Sequence, residues 1–183
     1  MRRNAAAILA VTLVGTACPP TRYLSQGFEQ SLETSGSCGG DLFLWAADDA
    51  DTASMLMRLD VPGALEEAVA AGGTLDIDLD LPGPASLTVY TAGSDGMKRG
   101  LCDLHDPLEA IFDQVWAAMG SAHLTVTLDE GATAEAPTGK ATVVLEEVTL
   151  YLARGGGDDE PIEVRDFTLT DIPLGAAEEG EGE

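Results

Sequence analysis

Thr74-Leu75-Asp76-Ile77-Asp78-Leu79-Asp80-Leu81 alternates without exception. Leu75, Ile77, Leu79 and Leu81 share one parity, and Asp76, Asp78 and Asp80 share the other. In a helix the acids would be scattered around the axis. In a strand, successive side chains point to opposite faces, so a period of two gives one apolar face and one wet face. The stretch is a strand, and it sets the reading of its neighbours as β. Neighbouring acids on such a face stand about 6.6–6.8 Å apart along the backbone and repel by only ~0.6 kcal/mol in water. The row reads as a wet face or a guarded edge strand. As an EF-hand loop it fails, with Leu81 where the sixth-position Gly belongs and Leu87 where the twelfth-position Glu belongs.

Outward from this strand, Pro82-Gly83-Pro84 ends it, and Leu87 to Thr91 is expected as its hairpin mate. On the other side, Gly63 to Gly73 has Leu65, Ala68 and Val69 at helical spacing and Gly72 placed to cap, which predicts a short helix. Met55 to Val61 and Leu42-Phe43-Leu44-Trp45 read as strands, the latter followed by a turn at Asp48, Asp49 and Asp51. Phe28 to Leu32 is a candidate first strand. Leu101 to Leu104 is a short fragment expected to be pinned by a disulfide.

Asp106 to Gly120 supports two readings. Asp106-Pro107-Leu108-Glu109 has an N-cap residue, Pro at the first helical position and an acid at the third. Leu108, Ile111, Phe112, Val115, Trp116 and Met119 keep helical spacing. The alternative is one long strand from Val115 to Leu128, interrupted by Gly120. A helix is expected from Pro107 to about Gln114, with Val115 to Met119 left open.

The last third reads as a hairpin whose phase slips. Val143 and Leu145 share one parity, while Val148, Leu150 and Leu152 take the other, with the slip at Glu146-Glu147. Ile162 and Val164 likewise differ in parity from Phe167 and Leu169, across Arg165-Asp166. A one-residue shift turns every following side chain to the opposite face unless a bulge absorbs it. Bulges or sharp bends are expected at both charged pairs. About seven short strands with regular turn signals imply a mainly β fold, a β-sandwich with one or two short helices. It would span residues 38–175, and residues 176–183 read as a disordered acidic tail.

The chain has 183 residues, 9 Lys plus Arg and 32 Asp plus Glu, for a net charge of −23. Charge of this size argues against phosphate-rich partners, and nucleic-acid binding is excluded. It suits divalent cations or basic partners, or simply an acidic coat.

At the N-terminus, Arg2 and Arg3 precede an uncharged apolar run from Ala5 to Thr16, too short to span a bilayer. Residues 1–17 read as a secretory signal. Val14-Gly15-Thr16-Ala17-Cys18 resembles a lipobox, with Gly15 where that pattern usually has Leu. Gly15-Thr16-Ala17 also fits an ordinary cleavage site, which would leave Cys18 a plain thiol. The lipobox resemblance implies a diacylglyceryl group and an N-acyl chain on Cys18, enough for stable membrane attachment. Residues 18–37 would then be lipidated Cys and tether, and cleavage would take the charge from −23 to about −25 by removing two arginines. With Cys18 lipidated, Cys38 and Cys102 remain as a pair in an oxidising compartment. A bridge between them would close a 65-residue loop, from 38 through 102, worth about 4 kcal/mol in the chain-entropy model. Two free buried thiols are the alternative.

The layout also resembles uncharacterised acidic lipoproteins of myxobacterial type. Those too place a Cys before an apolar strand and an Asp-rich turn, here Cys38 to Asp51. They end on a strand, Gly loop and strand, here Ala141 to Gly175. The resemblance implies a β-sandwich and carries no activity.

Catalytic motifs are absent. Ser37 is flanked by Gly36 but has Ser35 where the first Gly of a nucleophile elbow should stand. His105 lies beside Asp103 and Asp106 and reads as a turn residue; His123 lies beside a strand and reads as a sheet-face residue. No cofactor is implied. Calcium is the one ligand worth testing, at two flexible acidic loops, Asp48-Asp49-Asp51 and Asp158-Asp159-Glu160, which otherwise are solvated turns. The expected function is a non-enzymatic, lipid-anchored binding or structural module of the bacterial envelope, on the periplasmic or outer-membrane side. The alternative is a secreted hydrolase with a site built from scattered acids and one histidine.

Overall fold

A computed structural model describes residues 23–38, 42–48, 54–93, 112–156 and 160–175. The fold is mainly β. Its strands are β1 (Thr34–Cys38), β2 (Leu42–Ala47), β3 (Met55–Val61), β4 (Thr74–Leu81), β5 (Ser86–Ala92), β6 (Phe112–Leu128), β7 (Gly139–Gly155) and β8 (Ile162–Leu174). The helix α1 (Ala64–Ala70) lies between β3 and β4, and a 3-10 turn covers Phe28–Ser31, where the sequence suggested a strand. All pairings are antiparallel within a single sheet, ordered β1-β2-β3-β5-β6-β7-β8, with β4 paired to β6 off this path. The sheet curls until its two ends meet, where the Ser37 hydroxyl bonds both the N–H (3.2 Å) and the carbonyl (3.3 Å) of Gly175. The two layers expected of a sandwich are thus two halves of one curled sheet.

β5 is not the hairpin mate of β4. Leu81 stands opposite Gly120, and Thr88 opposite Ala117, so β4 and β5 run end to end along the same edge of β6. Pro82-Gly83-Pro84-Ala85 is a four-residue interruption of one long strand rather than a reversal. Prolines lack the N–H a ladder needs, which explains where pairing breaks.

The helical reading of Pro107 to Gln114 fails where it can be compared. Phe112, Asp113 and Gln114 open β6, a 17-residue strand that runs through the open segment Val115 to Met119. Gln114, Trp116 and Ala118 face inward at period two, and so do Ala122, Leu124 and Val126. The apolar residues that mimicked helical spacing are divided between the two faces of a strand, and long-range pairing overrides the local signal. Residues 107–111 and Leu101 to Leu104 lie outside the described residues.

Both predicted slips occur. Ser121 pairs with Glu147 and Ala122 with Leu145, leaving Glu146 as the extra residue of β7. Asp166 takes a left-handed φ of 53° where β8 changes phase. A further bulge lies between Val143 and Ala141, with Asp171 at φ 54°, and returns Ile172 and Leu174 to the core. Gly120, at φ 136°, lies under the β7 bulge, and a Cβ there would collide with the Glu147 carbonyl oxygen. The bend needs a glycine.

The interior is lined by Leu42, Leu44, Met57, Leu59, Val89, Trp116, Leu124, Leu145, Leu150 and Ile172, all buried. α1 adds Leu65 and Ala68, while Val69, predicted on the same face, is 41% exposed. Leu24 and Phe28 also enter this core, so the folded unit begins before Cys38 and includes part of the stretch read as a tether. Gln114 fixes that entry. Its buried Oε1 accepts from the Leu24 N–H at 2.8 Å and from Trp116 Nε1 at 3.1 Å, and its Nε2 donates to the Gly156 carbonyl at 2.8 Å. β2 is buried on both faces. Its outward residues Phe43, Trp45 and Ala47 join Cys38, Leu56 and Ala92 in a second cluster, with the Arg58 guanidinium 4.2 Å above the Phe43 ring.

Candidate functional site

β4 and the second half of β6 bring three ionisable groups together on the outer face. Asp78 stands directly opposite His123, and Asp76 opposite Thr125. His123 Nδ1 lies 2.7 Å from Asp78 Oδ1, and Nε2 lies 2.5 Å from Asp76 Oδ1. A neutral imidazole donates from one nitrogen only, so carboxylates at both nitrogens call for the doubly protonated ring. The pKa of His123 is raised above the ordinary 6.5, first by the hydrogen bond to Asp78 and then by the charges of Asp76 and Asp78, against a desolvation that lowers it. The network is superficial, with the Asp78 side chain 93% exposed. It ties β4 to the sheet.

Beside it, a cleft of about 240 Å³ opens between α1, β4 and the Pro82–Ala85 interruption. Its apolar lining includes Val61, Ala64, Ile77, Leu79 and Ala85, and Glu67, Asp78 and Asp80 supply its acids. A second depression, about 290 Å³, lies over the bend of β6, β7 and β8. There Met119 and Tyr151 are 54% and 44% exposed, beside Glu147, Glu163 and Arg165. Arg165 donates to Glu163 at 2.8 Å. The void among Leu44, Met57, Leu87 and Leu169 measures about 10 Å³, about what one water needs.

The acidic loops fare differently from the β4 row. Asp48 turns its carboxylate onto its own loop, accepting from Ser54 N–H (2.8 Å), Met55 N–H (2.9 Å) and Ser54 Oγ (2.6 Å). It closes the β2–β3 connection. Asp49, Asp51, Asp158 and Asp159 lie outside the described residues, and Glu160 is exposed. Among the described residues, no three His, Cys, Asp or Glu side chains are placed to hold a metal ion. Cys38 is disulfide-bonded; Cys18, Cys102 and His105 all lie outside the described residues. No described helix is long and apolar enough to cross a membrane.

His123 was legible only as a sheet-face residue. The 45 positions separating it from Asp78 hide the pairing, which appears only once β4 and β6 are in register. The arrangement can hold a protonated imidazole between two carboxylates and presents negative charge beside apolar surface. No family model, no curated protein and no solved structure matches this chain.

Proposed function

We propose that this protein is an exported envelope module, held to a membrane by lipid on Cys18, that binds a partner or serves a structural role through its acidic outer surface. The observation that carries this reading is the burial pattern. The polar residues buried as a whole among the described residues are Ser37, Thr91 and Gln114, none of which titrates near neutral pH, and no described acid is among them. Sites that do chemistry usually gather perturbed titratable groups in a concave, partly dry pocket. Here the perturbed histidine is on an open strand face. The bacterial lipoprotein resemblance, Cys18 above all, supplies the location.

The disulfide bears on the anchor. The chain has three cysteines, so Cys38 has only Cys18 and Cys102 as partners within it. A thioether-linked lipid on Cys18 leaves Cys102 as the intramolecular partner. The test is cell fractionation of Cys18→Ser, with mass spectrometry of the parent protein from its native membrane. The variant is expected in soluble fractions or as unprocessed precursor, and the parent with acylated Cys18 and a Cys38–Cys102 link. A processed Cys18→Ser protein that stays on the membrane, or a Cys18–Cys38 link, overturns the reading.

A further inference from the structure

The free edge of β4 is a row of unused backbone groups. The Leu128 N–H donates to the Gly73 carbonyl at 2.7 Å, which fixes the phase of the β4–β6 ladder. In an antiparallel pair, every second residue exchanges both bonds with its neighbour, and the residues between point theirs the other way. Leu75, Ile77, Leu79 and Leu81 therefore turn their N–H and C=O groups to β6. Thr74, Asp76, Asp78 and Asp80 turn theirs outward. Among the described strands, β4 pairs with β6 alone. No hydrogen bond among the described residues reaches those outward backbone groups. At one end the edge stops at the Pro82–Ala85 interruption, where a Cβ on Gly83 would stand 2.7 Å from the Asp80 carbonyl oxygen. Thr74 through Asp78 is open.

Two further features point to an occupant. The edge strand is regular, without bulge or proline, unlike the usual protected edge. Its inner apolar residues are incompletely covered at the open end, where Leu75 and Ile77 are half-buried while Leu79 and Leu81 are buried. The cleft with Val61, Ala64 and Ala85 continues that apolar surface past the edge. On the other face stand Asp76, Asp78 and Asp80.

We infer that the β4 edge accepts an extended segment of a partner polypeptide as an added strand, with basic residues alternating with apolar ones. The backbone ladder would supply affinity and the alternate side chains selectivity. The apolar residues would lie toward the cleft, and the Lys or Arg residues beside the aspartates, as opposite charges across a strand pair favour. A second copy of this chain is the wrong occupant: pairing β4 with β4 would bring aspartate rows together, between molecules of charge −23. This inference rests on the binding-module reading but not on the anchor.

The test uses the full chain purified in detergent and a fluorescent peptide alternating lysine and valine, read by anisotropy at physiological salt. Three further probes accompany it: a scrambled peptide of the same composition, an N-methylated version whose outward backbone groups are blocked, and one alternating glutamate and valine. The alternating lysine peptide is expected to bind at least tenfold tighter than all three. Its addition should slow hydrogen exchange at the Asp76 and Asp78 amides. Asp76→Asn with Asp78→Asn should weaken binding severalfold. Equal affinity for the N-methylated or scrambled peptide would reduce the surface to an acidic coat and overturn the proposal, as would no binding. Fractionation of Cys18→Ser is read separately, so a failed anchor and a failed edge are told apart.

Discussion

β4 and β8 are both border strands, and they are protected in opposite ways. β8 is broken by conformation. Asp166 and Asp171 each take a left-handed φ, at 53° and 54°, and each turns the following residues to the other face. Its ends are also tied off by side chains. The Gln26 amide donates to the Glu163 carbonyl and accepts from the Glu163 N–H, imitating a paired peptide, and Ser37 does the same at Gly175. β4 has none of this. It is straight in phase and guarded only by charge, a row of three aspartates of which Asp76 and Asp78 are linked through His123. Bends exclude every strand that seeks an edge. A charge row excludes like charge and is compatible with the opposite, so of these two strands β4 is the one whose edge could be selective.

The bent region can be broken hardest at Gly120. Gly120→Val forces a Cβ into the Glu147 carbonyl at a backbone angle that branched residues avoid, and should cost about 3 kcal/mol or more. Urea unfolding measures it, and a loss below about 1 kcal/mol would mean that the bend adjusts freely. Gln114→Leu comes next. It leaves the Leu24 N–H and the Trp116 indole N–H without their buried acceptor, an expected loss of about 2 kcal/mol by the same measurement.

The β4 link is read through pH. The folded pKa of His123 lies above its ordinary value of 6.5, with the hydrogen bond to Asp78 as first cause. Its stabilisation is therefore fully present below pH 6.5 and fades as pH rises through the raised folded value. Facing the ring are Asp76 and Asp78 on β4 and Val144 across on β7. His123→Gln should flatten the fall in melting temperature over that window. An unchanged slope would remove His123 as its source. The smallest effect is expected at β8, where Asp166→Gly relieves a left-handed residue and should be neutral or stabilising by up to ~1 kcal/mol, while Asp166→Val should destabilise. Calorimetry on the pair decides this, and the reverse order would show that the Asp side chain, not the backbone, sets the bulge.

Much of the fold was legible wherever burial follows a simple period. The alternation of β4, the continuous apolar run of β2 and the phase slips at Glu146 and Asp166 all report a face buried against a core. The slip at Asp171 left a weaker trace, because Leu169, Ile172 and Leu174 are too few to reveal a second reversal. Phe112 to Gln114 misled for a different reason: a capping sequence and helical spacing are local signals, and β6 is decided by β5 and β7. Leu87 to Thr91 misled because prolines mark a break in a strand as readily as a hairpin. For the outer face of β4, the aspartates were visible as a row, but their histidine and the unpaired edge depend on which strands become neighbours.

Gln114 has a mechanical consequence. A pull on the chain from its N-terminal side reaches Leu24 and Phe28 before it reaches β1. There it meets a buried amide fastened at once to β6 and to Gly156, beyond the end of β7. The load passes into the middle of the sheet instead of peeling the outermost hairpin. A tug from that side would therefore be borne by the longest strands among the described residues, and the shortest would stay shut until that knot gives way.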